Sequence, residues 1–400
     1  MGESGSVEVK ISRRAAERLR EGHVWVYRSD LADPEQALPR AAVAHVVSER
    51  GRMLGSALSS SASQIALRMI AREAIQDGET LQKLWRERIQ QAIAYRRRVV
   101  GDADSFRVLY SDADGVPGVV ADKYNDVVVL QALTQAADRD DLKRIAVDEL
   151  RRELSVENVV ERVDAKMRER EDLPAIESRL IAGEKSATGF HLNGLEFAFD
   201  AFAGQKIGAF LDQRENYAAA ERCATGRGLD VCTYHGGFAL HLARRCERVS
   251  AVDVSRAALE GADANGERNR EQLRCEVEWM EADAFDLLRD WADAGERFDT
   301  IVVDPPAFAK TRKKAAEALR GYKELNLRAL KMLNAGGVLV SCSCSQHVSE
   351  AEFLAMLQSA AADARRRLRV VEKRGQSADH PVLIGAPETQ YLKCIVAEVV

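Results

Sequence analysis

The sequence predicts an α/β protein in three parts, and three observations carry that prediction. From about residue 226 to the C-terminus, short apolar strands alternate with helical patterns, the mark of a parallel sheet covered on both faces. Residues 7–72 instead break into short β-rich runs split by Gly, Ser and Arg, compatible with a small β-barrel. Between them lies a mixed α+β section. The boundaries drawn from these patterns are 1–74, 75–200 and 201–400. The 400 residues have room for two to four domains at roughly 100–200 residues each.

Each element has its own reason. Residues 7–11 alternate apolar and polar side chains, and Ser12 caps a basic helical stretch that Gly22 ends. Val24-Trp25-Val26-Tyr27 has strong β propensity, and 42–47, 52–58 and 64–69 are further short strands. Leu81, Leu84, Trp85, Ile89, Ala92 and Ile93 keep helical spacing over 79–98, and Arg96-Arg97-Arg98 suits that helix's C-terminus. A hairpin at 107–123, a strand at 127–133, a helix at 142–154, a strand at 158–162 and a hairpin at 194–200 give a β,β,helix,β,β middle section. The last part reads as strands at 228–231, 249–254, 275–280, 300–304, 338–344 and 391–399, with helices at 238–245, 256–270, 285–294, 315–333 and 350–368.

Composition narrows the class. With 46% hydrophobic and 30% charged residues, the chain has apolar matter enough for large cores, which excludes disorder over most of its length. No apolar run approaches the roughly 18 residues of a membrane helix, and residues 1–10 lack the apolar core of a secretory signal, so no membrane partner and a cytoplasmic location are expected. The seven cysteines, at 223, 232, 246, 275, 342, 344 and 394, form no Cys-x-x-Cys pair, so no metal site or disulfide framework is expected. The net charge of −5 is uneven: residues 1–100 hold 17 Lys/Arg against 12 Asp/Glu, a net of +5, which leaves −10 for the rest. A basic first quarter on an acidic body points to an anionic partner.

Parallel sheets bind ligands beyond the carboxyl ends of their strands, and there the acids stand. The first strand of the last part leads through Asp230-Val231-Cys232-Thr233-Tyr234-His235-Gly236-Gly237-Phe238. Two glycines at a strand-to-helix turn let a ligand approach the backbone, and an acid ahead of them suits a cationic or amine-bearing ligand. The pyrophosphate loop Gly-x-Gly-x-x-Gly is missing, which disfavours a dinucleotide. The second strand ends at Asp253, where a carboxylate can accept from both ribose hydroxyls. The third enters Glu281-Ala282-Asp283-Ala284-Phe285, where Asp283 can accept from an adenine amine. Each acid alone could be a helix cap. Three in succession at three strand ends resemble a class I S-adenosylmethionine methyltransferase, a Rossmann-like domain.

The fourth strand ends in Asp304-Pro305-Pro306-Ala307-Phe308. The prolines form a stiff rim that can present Asp304 to a methyl-accepting base, with Phe308 for stacking. Asp-Pro-Pro-x-aromatic is a fairly specific signal of nucleic-acid methyltransferases. The fifth strand ends in Ser341-Cys342-Ser343-Cys344-Ser345. A thiol at this end faces the same cleft. Carbon 5 of a pyrimidine is a poor nucleophile, and a thiolate adding to carbon 6 activates it. A free cysteine is only a few per cent thiolate at neutral pH, so this chemistry needs a neighbour that lowers the thiol's pKa, and the sequence does not show one.

Together these segments resemble the bacterial large-subunit (23S) ribosomal RNA cytosine-C5 methyltransferases, built from a PUA domain, a central β-rich domain and a methyltransferase domain. The resemblance covers nearly the whole chain. Gly22-His23-Val24-Trp25-Val26-Tyr27 is similar to the PUA entry, and residues 206–216 to the segment ahead of the methyltransferase core, departing at Ile207 where Thr is usual. Tyr234–Phe238, Asp304–Phe308, Ser343-Cys344-Ser345, Ala378-Asp379-His380-Pro381 and Tyr391-Leu392-Lys393 match in order and spacing. The resemblance implies a PUA-like 1–74, a central 75–200 and a cofactor-binding 201–400. It makes S-adenosylmethionine the cofactor and S-adenosylhomocysteine the product. The implied cofactor residues are Gln213, Arg214, Asp230, Tyr234, Gly236, Gly237, Phe238, Asp253, Asp283, Ala284 and Asp304, with Asp212 beside the methionine end and His235 packing nearby.

The family also implies Cys344, eight residues after Gly336, as the nucleophile; Cys342 shares its strand face by period two but lies deeper and reads as core. Asp304 would hydrogen-bond the cytosine ring. Many relatives carry a second cysteine where this chain has Ala307, so the match is to a single-cysteine branch. Ribosomal RNA would be the partner, with Pro305, Pro306 and Phe308 at the base and Arg13, Arg14, Arg18, Arg20 and Arg28 as candidates for phosphate contacts. A homodimer through the first two domains is compatible with the sequence. Two other functions stay open: methylation of an exocyclic amine on adenine or guanine, which needs no thiol, and a non-catalytic RNA-binding role in ribosome assembly.

Overall fold

In the computed structural model, which describes residues 7–101, 103–202, 209–309 and 311–400, the chain opens with strand β1 (Val7–Ile11), whose Val9 and Ile11 point into the core. Ser12 caps α1 (Arg13–Arg20) by accepting from Ala15 N. Strands β2 (Trp25–Tyr27), β3 (Val43–Ser48), β4 (Met53–Ser59) and β5 (Ile65–Ala71) complete a five-stranded sheet of order β1-β3-β4-β5-β2. Val9, Ile11, Ala15, Val26, Ala57 and Leu67 fill it.

The middle section is fuller than its expected outline. Helix α2 (Gly78–Val99), capped by Asp77, buries Leu81, Trp85, Ile89 and Ile93. Then come β6 (Ser105–Tyr110), β7 (Val119–Tyr124), β8 (Val127–Ala132), α3 (Asp140–Leu154), β9 (Asn158–Glu161), α4 (Ala165–Arg170) and β10 (Arg179–Ala182), in a sheet of order β10-β9-β8-β7-β6. The three strands expected before α3 are there, and α4 and β10 after it were not expected. Strand β10 has four residues and buries none of them fully, so it carries no alternation to read. The hairpin β11 (Ala187–Leu192) and β12 (Leu195–Asp200) turns on Asn193-Gly194, both at positive φ (51° and 87°), as a two-residue turn requires.

The remaining elements are α5 (Arg214–Cys223), β13 (Arg227–Val231), α6 (Gly237–Ala243), β14 (Arg248–Asp253), α7 (Arg256–Arg268), β15 (Val277–Glu281), α8 (Ala284–Ala294), β16 (Phe298–Val303), α9 (Ala315–Met332), β17 (Leu333–Ser343), α10 (Glu350–Asp363), β18 (Leu368–Arg374) and β19 (Lys393–Val399). Their sheet runs β15-β14-β13-β16-β17-β19-β18, parallel from β15 to β17, with β19 antiparallel between β17 and β18. The strand order reverses between β13 and β16, and a ligand crevice opens at such a switch point. Leu229, Val231, Ile301, Val303 and Leu339 pack there against Leu325 and Ala329 of α9 and Phe353 and Leu357 of α10. The last helix ends earlier than its periodicity predicts: Arg365 turns the chain at φ 56°, and Leu368–Arg374 becomes an edge strand with no fully buried residue.

Contacts divide the chain into two units. One comprises the described residues of Met1–Phe190, Phe199–Gly208 and Ala378–Thr389, and the other those of His191–Ala198, Ala209–Ser377 and Gln390–Val400. The returning segment Ala378–Thr389 is tied into the first unit by a fully buried guanidinium. Arg96 donates from Nη2 to Asp379 O (2.8 Å) and from Nη1 to Asp114, while Asp379 Oδ2 accepts from Arg107 N (2.8 Å). Among the described residues no helix is long and apolar enough to cross a membrane.

Candidate active site

Asp230 sits on β13 with no exposed surface. Its Oδ2 accepts from Thr233 Oγ1 (2.6 Å) and from Ala239 N in the first turn of α6 (2.9 Å). Its Oδ1 has no hydrogen-bond partner among the described residues. Burial, with a smaller push from Asp253, raises this carboxyl to about 7, against the pull of those two hydrogen bonds.

The loop after Asp230 is tightly wound, with positive φ at Cys232, Tyr234 and Gly236. A Cβ on Gly236 would meet the Trp279 ring at 2.9 Å, and one on Gly237 the Tyr217 ring at 2.6 Å. Protein rings, and not only a ligand, therefore demand both glycines. Phe238, just inside α6, is buried and packs edge-on against Tyr217. Tyr234 stacks on His235 (3.9 Å between centroids).

Asp253 joins two strand ends: Oδ2 accepts from Tyr234 N (2.9 Å) and Oδ1 from Ser255 N (2.9 Å). Asp283 is exposed and caps α8, with Oδ1 accepting from Phe285 N (2.8 Å) and Asp286 N (3.2 Å); Ala284 beside it is buried. The capping role is thus real for Asp283, whereas Ser255 and not Asp253 caps α7.

Beyond β16, Asp304 Oδ2 accepts from Gln213 Nε2 (2.9 Å). Gln213 is itself held, its Oε1 accepting from Asn216 Nδ2 (2.6 Å), and Asn216 Oδ1 accepts from Arg374 Nε (3.0 Å). This relay from β18 to Asp304 was not legible in the sequence. Asn216 lies in a segment that reads as significant, but its partner is 158 residues away. Arg214 is buried, its guanidinium 4.0 Å from Glu215 Oε1. Asp212 Oδ2 accepts from Tyr391 Oη (2.5 Å). Ile207 lies outside the described residues.

Pro305 is buried and Pro306 exposed. Phe308 packs toward Tyr322 and Phe285 (centroids 4.8 and 6.0 Å). The Asp304–Phe308 segment is stitched to the cysteine segment through Ser345, whose Oγ accepts from Ala309 N (3.2 Å) and shares a hydrogen bond with Tyr322 Oη (2.8 Å).

Three thiols near this crevice differ sharply. Cys342 is fully buried opposite Cys394, and burial together with Cys394 raises it well above an ordinary thiol. Cys232 is half-buried, and burial followed by the charges of Asp253, Asp304, Asp230 and Asp283 pushes its thiol far up. Cys344 is half-buried just past the end of β17. In the first unit, Arg13 pairs with Glu17 (2.9 Å), Arg18 with Asp30 (2.5 Å), and Arg28 donates to Ser60 O and Ser61 O (3.1 and 2.6 Å). Arg14 is exposed.

The sequence of residues 9–72 matches the PUA-like domain, and residues 162–392 match the S-adenosylmethionine-dependent methyltransferase family. A ribosomal RNA large subunit methyltransferase I from Shewanella denitrificans is 34% identical over 98% of this chain and all of that protein. The chain belongs to this methyltransferase family. A homologue of the same name from Tolumonas auensis is 34% identical over 99% of this chain and all of its own length. In fold, the methyltransferase SMU.776, solved with S-adenosylhomocysteine, superposes with a TM-score of 0.84 at 18% identity, covering 98% of this chain and all of the other.

The methyltransferase's residues fit S-adenosylmethionine on their own terms. A fully buried acid with one unpaired oxygen, beside a left-handed glycine turn, is costly unless a ligand donor completes it. The amine-bearing end of this cofactor is such a donor, and the second and third acids stand in order along the same strand ends.

Proposed function

We propose that this methyltransferase forms 5-methylcytosine in large-subunit ribosomal RNA, with Cys344 as the nucleophile. The observation that carries the reading is the contrast among the thiols: Cys342 is sealed against Cys394 and Cys232 is ringed by carboxylates, whereas Cys344 stands half-open at the end of β17. The names of the relatives support ribosomal RNA as substrate, and the PUA-like domain within 1–74 supports an RNA grip there, with 201–400 carrying the chemistry. A ribosomal RNA substrate implies work in the cytoplasm.

Asp230, Asp253 and Asp283 would hold the cofactor's polar groups, the turn Tyr234–Phe238 and Ala284 would close around it, and Gln213 and Arg214 would face its methionine end. The bound cofactor supplies an electrophilic methyl. The chain's own residues do the rest. The Cys344 thiolate adds to carbon 6 of a cytosine turned out of its stack. Asp304, oriented by Gln213, fixes the ring. Carbon 5 takes the methyl and loses its proton, and the carbon 6–sulfur bond breaks to return the thiolate.

Ribosomal RNA containing 5-fluorocytidine tests this directly. Incubated with S-adenosylmethionine, the protein should run on a denaturing gel as a covalent RNA adduct, because fluorine does not leave as a proton does. Cys344→Ala should abolish the adduct and Cys342→Ala should keep it. Methyl transfer to unmodified RNA that survives in Cys344→Ala would instead favour an exocyclic amine as acceptor.

A further inference from the structure

Lys393 opens β19, and the antiparallel register sets it opposite Ser343, one residue before Cys344. It is only 5% exposed. Taking an ammonium out of water costs several kcal/mol unless a partner offsets it. Nζ donates to Ser345 O (2.6 Å) and Tyr391 O (2.8 Å), two neutral carbonyls. Among the described residues no carboxylate lies within ion-pair distance of it, so a buried cation stands without a formal counter-ion.

Two groups act on its charge from farther off, Cys344 first and then Glu352. Glu352 lies in the exposed first turn of α10 and is committed to its capping box, with Oε2 accepting from Ser349 N (2.8 Å) and Oγ (2.6 Å). Of the other ionisable groups packed around the segment, Tyr322 on α9 has its phenol pushed up by burial and stays neutral, and Asp304 beyond β16 acts on Cys342 deeper in the same strand. Arg312 acts on Glu352. The anion that suits this ammonium is therefore a sulfur one residue from the carbonyl it already grips.

We propose that Lys393 is a positioning residue that holds Cys344 as a thiolate, the buried ammonium and the thiolate forming one ion pair. The inference rests on the reading of Cys344 as nucleophile. The thiol proton leaves to solvent, Lys393 stays protonated throughout, and the same pair re-forms when the carbon 6–sulfur bond breaks. Cys232 is the internal contrast: it shares the crevice, but burial and then the surrounding carboxylates keep its thiol protonated. Burial lowers the Lys393 ammonium to about 8, with Cys344 and then Glu352 opposing, so the lysine is charged at neutral pH and its charge fades as pH rises through that value.

The test needs neither RNA nor cofactor. The full-length protein is alkylated with isotope-coded iodoacetamide from about pH 5.5 to about pH 9, where thiols titrate, and each site is read by tandem mass spectrometry. Cys344 should react at neutral pH while Cys232 stays inert. Lys393→Met should move the half-rise of Cys344 up by about one unit or more, roughly a tenfold loss of rate at neutral pH. Lys393→Arg, which keeps the charge, should restore most of it. A Cys344 profile identical in wild type and Lys393→Met would overturn the proposal, as would equal losses in Met and Arg variants that melt like wild type. The gel adduct separates the two readings: no adduct from wild-type protein, with the Lys393-dependent shift intact, sinks the cytosine-C5 assignment and leaves the ion pair standing.

Discussion

Asp230 combines complete burial with an oxygen that has no partner, and both facts follow from where β13 hands over to α6. The ordinary value of 3.8 rises to about 7 because the charged form is desolvated. The sign is definite: the neutral acid's contribution to stability is full below about pH 4 and is lost as pH climbs through about 7. A cationic ligand group favours the ionised form. S-adenosylmethionine affinity should therefore rise with pH up to about 7 and level off, and binding below that point should release a proton. Calorimetry in buffers of different ionisation enthalpy reads both. Asp230→Asn should weaken binding by about tenfold to a hundredfold and erase the buffer dependence; unchanged proton release would mean another group carries it.

Elements differ in how plainly the sequence announced them. Central strands such as β16 were legible because both faces are buried, so Ile301, Val302 and Val303 form an unbroken apolar run. The edge strands β10 and β18 were not, since residues facing solvent need no pattern. The acids at the strand ends were legible as a set, but their local duties were not: Asp283 caps a helix, Asp253 ties two loops, and Asp304 waits on a relay whose parts come from distant elements. The glycine turn suits a ligand, yet the tighter constraint at Gly237 is the Tyr217 ring. Gly237→Ala should cost about 1–3 kcal/mol, and a double-mutant cycle with Tyr217→Leu, followed by urea unfolding, should show that most of that cost disappears once the ring is gone. Additive effects would place the constraint elsewhere.

At the scale of the whole molecule, contacts join segments far apart along the chain. Reading along the chain predicts boundaries at 74 and 200, whereas Ala378–Thr389 belongs with residues near the N-terminus. No local pattern reveals that return, because its ties come from groups with other local explanations, among them an arginine in a helix tail whose basic run has an ordinary one. Breaking the clasp should be expensive. Arg96→Met leaves the buried Asp114 side chain without its cationic partner and the Asp379 carbonyl without this donor, and should cost about 3–5 kcal/mol in urea unfolding; a loss under about 1 kcal/mol would show that water replaces it.

That clasp also bears on how the protein is made. Chains emerge from the ribosome N-terminus first, and domains generally fold in that order as they appear. Here the earliest part to emerge is finished only when residues 378–389 arrive, close to the end of a 400-residue chain. For most of translation Arg96 has no Asp379, and its unit stays open while everything between is added. A stop anywhere ahead of residue 378 therefore leaves the first unit without its closing segment.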